Sequence, residues 1–331
     1  MTERFPAIVA EEHDGRSIGA LRELSLADLP DEDVLVRVSH STINYKDALA
    51  ITGAGKICRK FPMVCGIDLA GTVTESRDPA FKPGQAVLAG GFGLGERAWG
   101  GMSGYARLNQ AWPIVIPAPL GAEQAMAIGT AGFTAMLCIE ALESHGVTPH
   151  AGPVIVTGAS GGVGSFAVML LGKLGYHVVA ASGRAAANAE FLTRLGAREI
   201  IDRAELARAS KPLESERWAG AVDSVGGETL ATLLAQTRYQ GTVAATGLAG
   251  GGGLNTTVMP FILRGVTLAG VDSVMQPRQR RVQTWTRLAG LADPALLRTL
   301  YELRPMSAAP TLAQQLLAGQ IRGRVVLDVT S

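Results

Sequence analysis

The stretch VIVTGASGGVGSFAVMLLGKLGYHVVAASGR, residues 154–184, decides the fold. An apolar run with β-branched residues leads into a glycine-rich turn, and the turn opens a run with the composition of a buried helix. A second β-type run follows and ends in Ser-Gly-Arg. A strand, a glycine turn and a helix in this order are typical of the phosphate-binding turn of a doubly wound α/β domain. The stretch therefore predicts a dinucleotide held against the start of the helix.

The turn itself follows the pattern A-x-G-x-x-G, because Ala159 stands where the usual motif has its first glycine. Gly161 allows the backbone to approach a pyrophosphate, and Gly164 allows the helix to pack closely on the strand. The unpaired N–H groups at the start of the helix, together with its dipole, favour an anion. We therefore predict that the whole turn binds the cofactor, through Ala159, Ser160, Gly161, Gly162, Val163 and Gly164.

The end of the second β-type run selects the nucleotide. An NAD site usually has an Asp or Glu about 20 residues after the turn, where it binds the ribose 2′-hydroxyl. Here the run ends in Ser182, Gly183 and Arg184. A carboxylate would repel a 2′-phosphate, whereas Arg184 can pair with it and Ser182 can donate a hydrogen bond. We therefore predict NADPH rather than NADH, bound by these three residues; the alternative is that Arg184 is a solvated loop residue.

From Pro153 onward, β-type runs alternate with helical runs. The β-type runs cover residues 154–158, 177–182, 199–202, 220–225, 241–248 and 265–273, and helical runs between them include 165–175 and 228–237. This alternation predicts an α/β fold with a Rossmann-type, doubly wound parallel sheet. Before it, short alternating runs split by Gly and Pro turns indicate a β-rich, barrel-like domain. A helical pattern covers residues 123–147, and a final strand-like run, 321–329, can return to the first domain.

Composition limits the class of protein. A chain of 331 residues with 47% hydrophobic residues is long enough for two domains. The net charge of +1 gives no reason to expect nucleic acid or an anionic membrane as a partner. Three cysteines are too few for a disulfide framework, so we expect a reducing, cytoplasmic location.

Six segments resemble the medium-chain dehydrogenase/reductase superfamily, in its zinc-free, quinone-oxidoreductase-like branch. The segments are STINYKDALAITG (41–53), GIDLAGTV (66–73), GTAGFTAMLCI (129–139), VTGASGGVG (156–164), TTVMPFILRGVTLAGVDSV (256–274) and IRGRV (321–325). Within this branch, they are most similar to the bacterial acrylyl-CoA reductase family. The resemblance implies a GroES-like catalytic domain formed by residues 1–122 and 297–331. A Rossmann NADPH-binding domain, residues 123–296, is then inserted between them.

The resemblance also implies an activity. We expect NADPH-dependent reduction of the activated C=C bond of a small enoyl-CoA, acrylyl-CoA to propionyl-CoA, by hydride transfer without a metal. A homodimer is implied as well. Two alternatives stay open: an NADPH-dependent quinone or enone oxidoreductase, and a non-catalytic NADPH-binding regulatory protein.

The segment around Tyr45 and Asn44 matches the part of the family that lies near the nicotinamide, so both are candidate catalytic residues. Tyr45 can orient the nicotinamide or donate a proton, directly or through water. The alternative is a structural tyrosine whose hydroxyl satisfies a backbone group. Asp47 is either a further polar group of the site or the cap of the helix that begins there.

Four more residues are candidate cofactor ligands. Thr130 matches a family position near the nicotinamide, unless its hydroxyl bonds its own helix backbone. Arg324 matches a basic position that reaches the cofactor in relatives, unless it is a solvated surface cation. Leu248 and Ser273 follow the fifth and sixth β-type runs, and ligands of doubly wound sheets bind outside the carboxyl ends of the strands.

The resemblance predicts no metal site. The first catalytic Cys ligand of zinc-containing relatives falls at Asn44, and their Gly-His-Glu motif falls at Gly66-Ile67-Asp68, which lacks the His. Zinc sites favour Cys and His ligands, and neither type is clustered here. Without a metal that polarises an oxygen, alcohol oxidation is disfavoured.

Two segments bear on the substrate. Residues 91–106 carry Phe92, Trp99 and Tyr105, which either line the mouth of the substrate site or pack in turns and core. Lys56, Arg59 and Lys60 lie on a predicted loop and either meet the phosphates of CoA or form a solvated face.

Overall fold

The computed structural model describes residues 4–331, apart from the side chain of His13. It divides the chain into two compact units. The first unit extends to Thr130 and resumes at Val274, and the second comprises Ala131–Ser273. The sequence-based boundaries lie after residues 122 and 296, whereas the structure groups residues 123–130 and 274–296 with the first unit.

The first unit is rich in strands up to Thr130. Its elements there are β1 (Arg4–His13), β2 (Arg16–Ser25), β3 (Val34–Thr42), α1 (Tyr45–Thr52), β4 (Met63–Val64), β5 (Asp68–Ser76), β6 (Ala86–Gly90), β7 (Tyr105–Leu108), β8 (Ile114–Val115) and the start of α2 (Ala122–Ser144). Helix α1 ends because Gly53 adopts the left-handed conformation, with φ 71°, which glycine accepts without strain.

The second unit alternates strands and helices. After the end of α2 come β9 (Pro153–Val156), α3 (Gly162–Lys173), β10 (His177–Ser182), α4 (Ala185–Leu195), β11 (Glu199–Asp202), β12 (Trp218–Asp223), α5 (Gly227–Gln236), β13 (Thr237–Ala245), α6 (Met259–Arg264) and β14 (Thr267–Gly270). The six strands form one parallel sheet in the order β11-β10-β9-β12-β13-β14. This is the doubly wound order, so the predicted Rossmann fold is confirmed.

The central strands of this sheet are apolar without alternation. Val154, Ile155 and Val156 are all fully buried. In a parallel sheet, helices cover both faces, so the side chains on both faces of a strand are buried.

The chain then returns to the first unit through α7 (Arg278–Leu291), α8 (Pro294–Arg298), β15 (Tyr301–Pro305), α9 (Ala309–Leu317) and β16 (Arg324–Asp328). Strand β16 pairs antiparallel with β3, with Val326 opposite Thr42. The prediction that the last strand returns to the first domain is therefore confirmed. The larger sheet has the order β15-β16-β3-β5-β6-β8 with β7 on β3, and a smaller sheet has the order β2-β1-β4.

Helix α2 is the one helix of the described chain that is long and apolar enough to cross a membrane, and 83% of its most apolar window is buried inside the protein. Its backbone is broken at Gly129, where φ is 47° and ψ is −157°. A mostly buried, interrupted helix of this kind fits the core of a folded domain.

Candidate cofactor and active site

The glycine turn of the second unit has the close packing that its sequence predicts. Helix α3 begins at Gly162. A Cβ added at Gly164 would lie 2.2 Å from the carbonyl oxygen of Gly158 and 2.7 Å from the Cα of Ala159, so the helix can approach the strand only with glycine there. The N–H groups of the first turn have no carbonyl four residues earlier in the helix. They therefore offer donors to an anion at this end of α3.

Gly158 makes the tight turn that the motif predicts at residue 159. Gly158 has φ 58°, and a Cβ there would lie 2.6 Å from the Oγ of Ser224. Ala159 is instead fully buried, and its N–H donates to the carbonyl of Ala181 at 3.2 Å. The tight turn therefore begins one residue earlier than the motif suggests.

A buried carboxylate that the sequence analysis missed supports the turn from the neighbouring strand. Asp223 accepts hydrogen bonds from the Oγ1 of Thr157 at 2.6 Å and the N–H of Gly226 at 2.8 Å. Burial raises the pKa of Asp223, while these bonds oppose the shift. The contact joins the ends of β9 and β12, where ligands of doubly wound sheets bind. A polar residue directly after the apolar run 219–222 was the available signal.

At the end of β10, Ser182 is the centre of a small polar group. Its Oγ accepts a hydrogen bond from the Nδ2 of Asn188 at 3.1 Å and from the N–H of Arg184 at 3.3 Å, and it lies 3.5 Å from the Oγ of Ser160. Ser182 is buried, and Gly183 and Arg184 are exposed. The three predicted 2′-phosphate ligands are thus contiguous at the carboxyl end of a strand.

Leu248 and Ser273 lie beyond the carboxyl ends of β13 and β14, as predicted, and Leu248 is exposed. Because all six strands are parallel, these ends share the sheet edge with the turn around Gly161.

In the first unit, Asn44 lies directly before α1 and is buried. Its side-chain Nδ2 donates to the carboxylates of Asp47 at 3.1 Å and Asp68 at 2.9 Å, and its Oδ1 accepts from the Nη1 of Arg324 at 3.0 Å. Asn44 therefore bridges two carboxylates and a guanidinium.

Asp47 caps the start of α1, one of the two roles that the sequence left open. Its carboxylate accepts from the N–H of Asn44 at 2.8 Å and from the N–H of Ile67 at 2.9 Å. Burial raises the pKa of Asp47 to about 7, with nearby Asp68 adding to the shift and the hydrogen bonds opposing it. An Asp with this pKa carries a proton in part of the molecules at neutral pH.

Thr130 is oriented by Asp68. The Oγ1 of Thr130 donates to one carboxylate oxygen of Asp68 at 2.7 Å, and its N–H donates to the other at 3.0 Å. The single hydroxyl proton is therefore directed to Asp68, and the alternative that it bonds the helix backbone is wrong.

Arg324 is buried, so the alternative of a solvated surface cation is wrong. Its guanidinium donates to the Oγ1 of Thr42 at 2.8 Å, to Asn44, and through Nε to the carbonyl of Ala127 at 3.2 Å. Burial lowers the pKa of Arg324, and the charges of Asp68 and Asp47 oppose the shift. The resemblance predicts Arg324 as a cofactor ligand; in the structure, neutral oxygens of the first unit hold its guanidinium within the electrostatic influence of Asp68 and Asp47.

Tyr45 is 49% exposed at the first position of α1. Among the residues that the structure describes, its hydroxyl has no hydrogen-bond partner, so the alternative of a structural tyrosine that satisfies a backbone group is wrong. The phenol is available to a ligand.

The residues at the position of the catalytic zinc of other dehydrogenases do not fit that metal. Asn44 offers an amide already bound on both atoms, and Asp68 accepts three hydrogen bonds from Asn44 and Thr130. Among the described residues, no group of three His, Cys, Asp or Glu side chains has the geometry to hold a metal ion. The chemistry of the donors thus argues against zinc here.

The segment 91–106 is only partly available to a substrate. Tyr105 is buried against Phe5, with ring centroids 5.3 Å apart, so of the two roles that the sequence leaves open, core packing is the one that the structure shows. Phe92 stacks on Trp112 at 6.0 Å. Trp99 is partly buried and donates to the carbonyl of Pro62 at 3.2 Å.

Comparison with known proteins identifies the class. Residues 30–119 match the alcohol dehydrogenase GroES-like domain, and residues 162–289 match the zinc-binding dehydrogenase domain. These two domains together define a dehydrogenase-type oxidoreductase.

Relatives that are similar over nearly the whole chain narrow this class of oxidoreductase to one family. The probable acrylyl-CoA reductase AcuI of Escherichia coli K12 is 53% identical over 98% of this chain and 99% of its own. The acrylyl-CoA reductase AcuI of Ruegeria pomeroyi is 50% identical over 99% of this chain and 100% of its own. The crystal structure of E. coli K-12 YhdH with bound NADPH has 52% identity and a TM-score of 0.96, over 98% of this chain and 100% of that one. The chain belongs to the medium-chain dehydrogenase/reductase superfamily and, within it, to the family of acrylyl-CoA reductases, which confirms the predicted resemblance.

Proposed function

We propose that this protein is an NADPH-dependent reductase of the activated C=C bond of a small enoyl-CoA, converting acrylyl-CoA to propionyl-CoA without a metal. The observation that carries the proposal is the full-length similarity to the R. pomeroyi acrylyl-CoA reductase, 50% over 99% of the chain. The site supports it, because the residues at the zinc position favour hydrogen bonding over metal binding.

The second unit would hold the nucleotide. The first-turn N–H groups of α3 and the glycines of the turn suit a pyrophosphate. Ser182 and Arg184 suit the 2′-phosphate, which is the basis for NADPH over NADH. When bound, NADPH supplies the hydride that reduces the β-carbon of the substrate.

The first unit would supply the polar groups that act on the substrate and on the nicotinamide. Tyr45 is about half-exposed, and its hydroxyl can donate a proton to the α-carbon, directly or through water. Thr130 gives its hydroxyl proton to Asp68, so toward a ligand its oxygen acts as an acceptor. It therefore suits an amide N–H, such as that of a carboxamide. Asn44 and Asp68 hold these groups in place, which is a positioning role.

A basic loop favours a CoA thioester over a quinone. Lys56, Arg59 and Lys60 are exposed, and none of their side chains makes an ion pair with any residue of the described range. The loop is fixed at Arg59, whose N–H donates to the carbonyl of Glu96 at 2.8 Å. Coenzyme A carries a diphosphate and a 3′-phosphate that such cations attract, and a quinone has no phosphate.

The test is an assay of NADPH oxidation at 340 nm with acrylyl-CoA, a simple quinone and a short enone. We expect turnover with acrylyl-CoA at a kcat/KM well above the other two, and a lower KM for NADPH than for NADH. Turnover of quinone alone would support the oxidoreductase alternative, and NADPH binding without any turnover would support a regulatory protein.

We also propose a homodimer in the cytoplasm. Val258, Ile262 and Leu263, on helix α6 and directly before it, expose large apolar side chains, and β14 pairs with β13 alone among the described strands. Exposed apolar surface and a strand with a single neighbour both suit a second copy of the chain. Light scattering after size exclusion should give about twice the chain mass of 34.4 kDa. Three free cysteines fit a reducing compartment, which fractionation of the source cells would check.

A further inference from the structure

The start of helix α1 is tied to a tight turn at residues 93–98 of the first unit. Lys46, the second residue of the helix, donates from its Nζ to the Oε2 of Glu96 at 3.1 Å. The side chain of Glu96 is 14% exposed and that of Lys46 is 33% exposed, so the pair is largely shielded from water. Because a shielded carboxylate needs a cation beside it, the charge of Glu96 holds the Lys46 side chain in this place.

The turn that carries Glu96 is held by its own backbone. The carbonyl of Gly93 accepts hydrogen bonds from the N–H of Glu96 at 3.0 Å and of Arg97 at 2.8 Å. Gly93 and Gly95 have φ 82° and 68°, which glycine adopts without strain. A Cβ added at Gly95 would lie 3.1 Å from the backbone N of Gly66, so the turn packs closely on the backbone of the neighbouring segment.

Glu96 also holds the basic loop of Lys56, Arg59 and Lys60, through a different atom. Its carbonyl accepts the hydrogen bond from the N–H of Arg59 at 2.8 Å. The carboxylate therefore contacts α1, while the carbonyl contacts the loop. The side chain of Arg97 lies 3.6 Å from the other carboxylate oxygen of Glu96 and is 73% exposed, so it adds little to either link.

Tyr45 directly precedes two residues that are both anchored. Lys46 is bound by Glu96, and the carboxylate of Asp47 accepts from the N–H of Ile67 at 2.9 Å. The half-exposed Tyr45 side chain thus projects from a helical turn that two separate segments hold in place. Small displacements of a reacting group matter, because a shift of about 1 Å can lower a rate about 100-fold.

We propose that Glu96 is a positioning residue of the reductase. Its carboxylate holds, through Lys46, the helix start that presents the Tyr45 hydroxyl to the substrate, and its carbonyl holds the loop for the phosphates of coenzyme A. This inference rests on the proposed function. The two links have separable consequences, because a substitution of the Glu96 side chain removes the carboxylate and leaves the carbonyl in the chain.

The kinetic test compares kcat with KM. Glu96→Gln should lower kcat for acrylyl-CoA about tenfold and leave KM within about twofold. In the Tyr45→Phe background the same substitution should have no further effect on kcat, because Glu96 acts through the phenol. Glu96→Asp, which keeps the charge, should recover part of kcat. The matched control is Glu75→Gln, which breaks the 3.4 Å ion pair with Arg107 in the same unit and should change neither constant.

Hydrogen–deuterium exchange with mass spectrometry measures the same link without turnover. In Glu96→Gln, exchange should be faster in peptides that cover residues 45–52 and unchanged in peptides that cover residues 55–60, because only the helix loses its anchor. Thermal melting of each variant verifies folding.

Three results overturn the inference: wild-type kcat in Glu96→Gln, wild-type exchange of residues 45–52 in that variant, or an equal loss of kcat in the wild-type and Tyr45→Phe backgrounds. If the wild-type protein does not reduce acrylyl-CoA, the proposed reaction fails by itself. The exchange of residues 45–52 then decides whether Glu96 holds the start of α1.

Discussion

The guanidinium of Arg324 donates a 3.0 Å hydrogen bond to the side-chain oxygen of Asn44, although 280 residues separate them in the chain. The bond exists because β16 pairs with β3, which ends two residues before Asn44. It joins the last strand of the chain to the buried carboxylates of Asp47 and Asp68. The first unit therefore needs both ends of the chain before its polar site is complete.

Arg324→Ala should destabilise the fold strongly. It leaves Asp47 and Asp68 buried without their cation, and removal of one partner from a buried charged network costs about 3–5 kcal/mol. Urea unfolding followed by circular dichroism measures the loss. Arg304→Ala, at an exposed position of β15, is the control and should change the stability by less than about 0.5 kcal/mol. Equal stability of the two variants would contradict the structural role of Arg324.

The raised pKa of Asp47 predicts that the free energy of unfolding depends on pH. Its pKa is raised to about 7 in the folded protein, above the ordinary value of 3.8, so between these values the folded state binds more protons than the unfolded state. Its contribution is then fully present below about pH 3.8, falls as the pH rises and is lost above about pH 7, with a slope of at most about 1.4 kcal/mol per pH unit. The comparison is urea unfolding of wild type and Asp47→Asn from pH 4 to pH 8.

The difference in unfolding free energy between the two proteins should change through that window and level off above about pH 7. Two parallel pH profiles would show that Asp47 does not titrate there. Because the asparagine side chain does not titrate, carboxylates far from Asp47 contribute equally to both proteins and cancel in the difference.

Tyr45→Phe separates chemistry from stability. The Tyr45 side chain is half-exposed, and its hydroxyl has no partner in the part of the chain that the structure describes, so its loss should change the unfolding free energy by less than about 0.5 kcal/mol. If the phenol delivers the proton, kcat should fall about 100-fold, and less if water replaces it. Tyr239→Phe, at a 65% exposed tyrosine of the second unit, is the matched control. Full kcat in Tyr45→Phe would remove the acid role.

Gly129→Ala tests the break in α2. At φ 47° a non-glycine residue is strained, and its Cβ would lie 3.0 Å from both the Nη2 of Arg324 and the Oδ2 of Asp68. We expect a loss of about 1–3 kcal/mol in unfolding free energy. Gly290→Ala, inside α7 with nothing within 4 Å of its Cβ, should gain about 0.5 kcal/mol instead. A stabilised Gly129→Ala would show that the break is not needed.

The features that could be predicted from the sequence are those that depend on residues close together along the chain. The strands at 177–182 and 199–202 were predicted at the residues where the structure has them, because apolar runs bounded by turns are local patterns. The networks of Asp223 with Thr157 and of Arg324 with Asn44 were not predicted. Each joins residues brought together only by sheet order, and a single sequence does not show such pairs. The sequence left the role of Tyr105 open for the same reason, since its partner Phe5 lies on a distant strand.

Neutralising the basic loop tests the substrate class. The triple variant Lys56→Gln, Arg59→Gln and Lys60→Gln should raise the KM for acrylyl-CoA about tenfold, because three exposed phosphate contacts contribute about 1–2 kcal/mol together. The KM for the acrylyl thioester of N-acetylcysteamine, which has no phosphate, should stay unchanged, as should kcat for both.

Added salt should reduce the difference between wild type and the triple variant, since exposed ion pairs are screened. The control variant neutralises three exposed cations elsewhere in the first unit, Arg37, Lys82 and Arg304. An equal rise of KM for both thioesters would assign the loop to general packing around the active site, and no rise for either would place the CoA phosphates elsewhere. Only a selective rise for acrylyl-CoA supports phosphate contact by this loop.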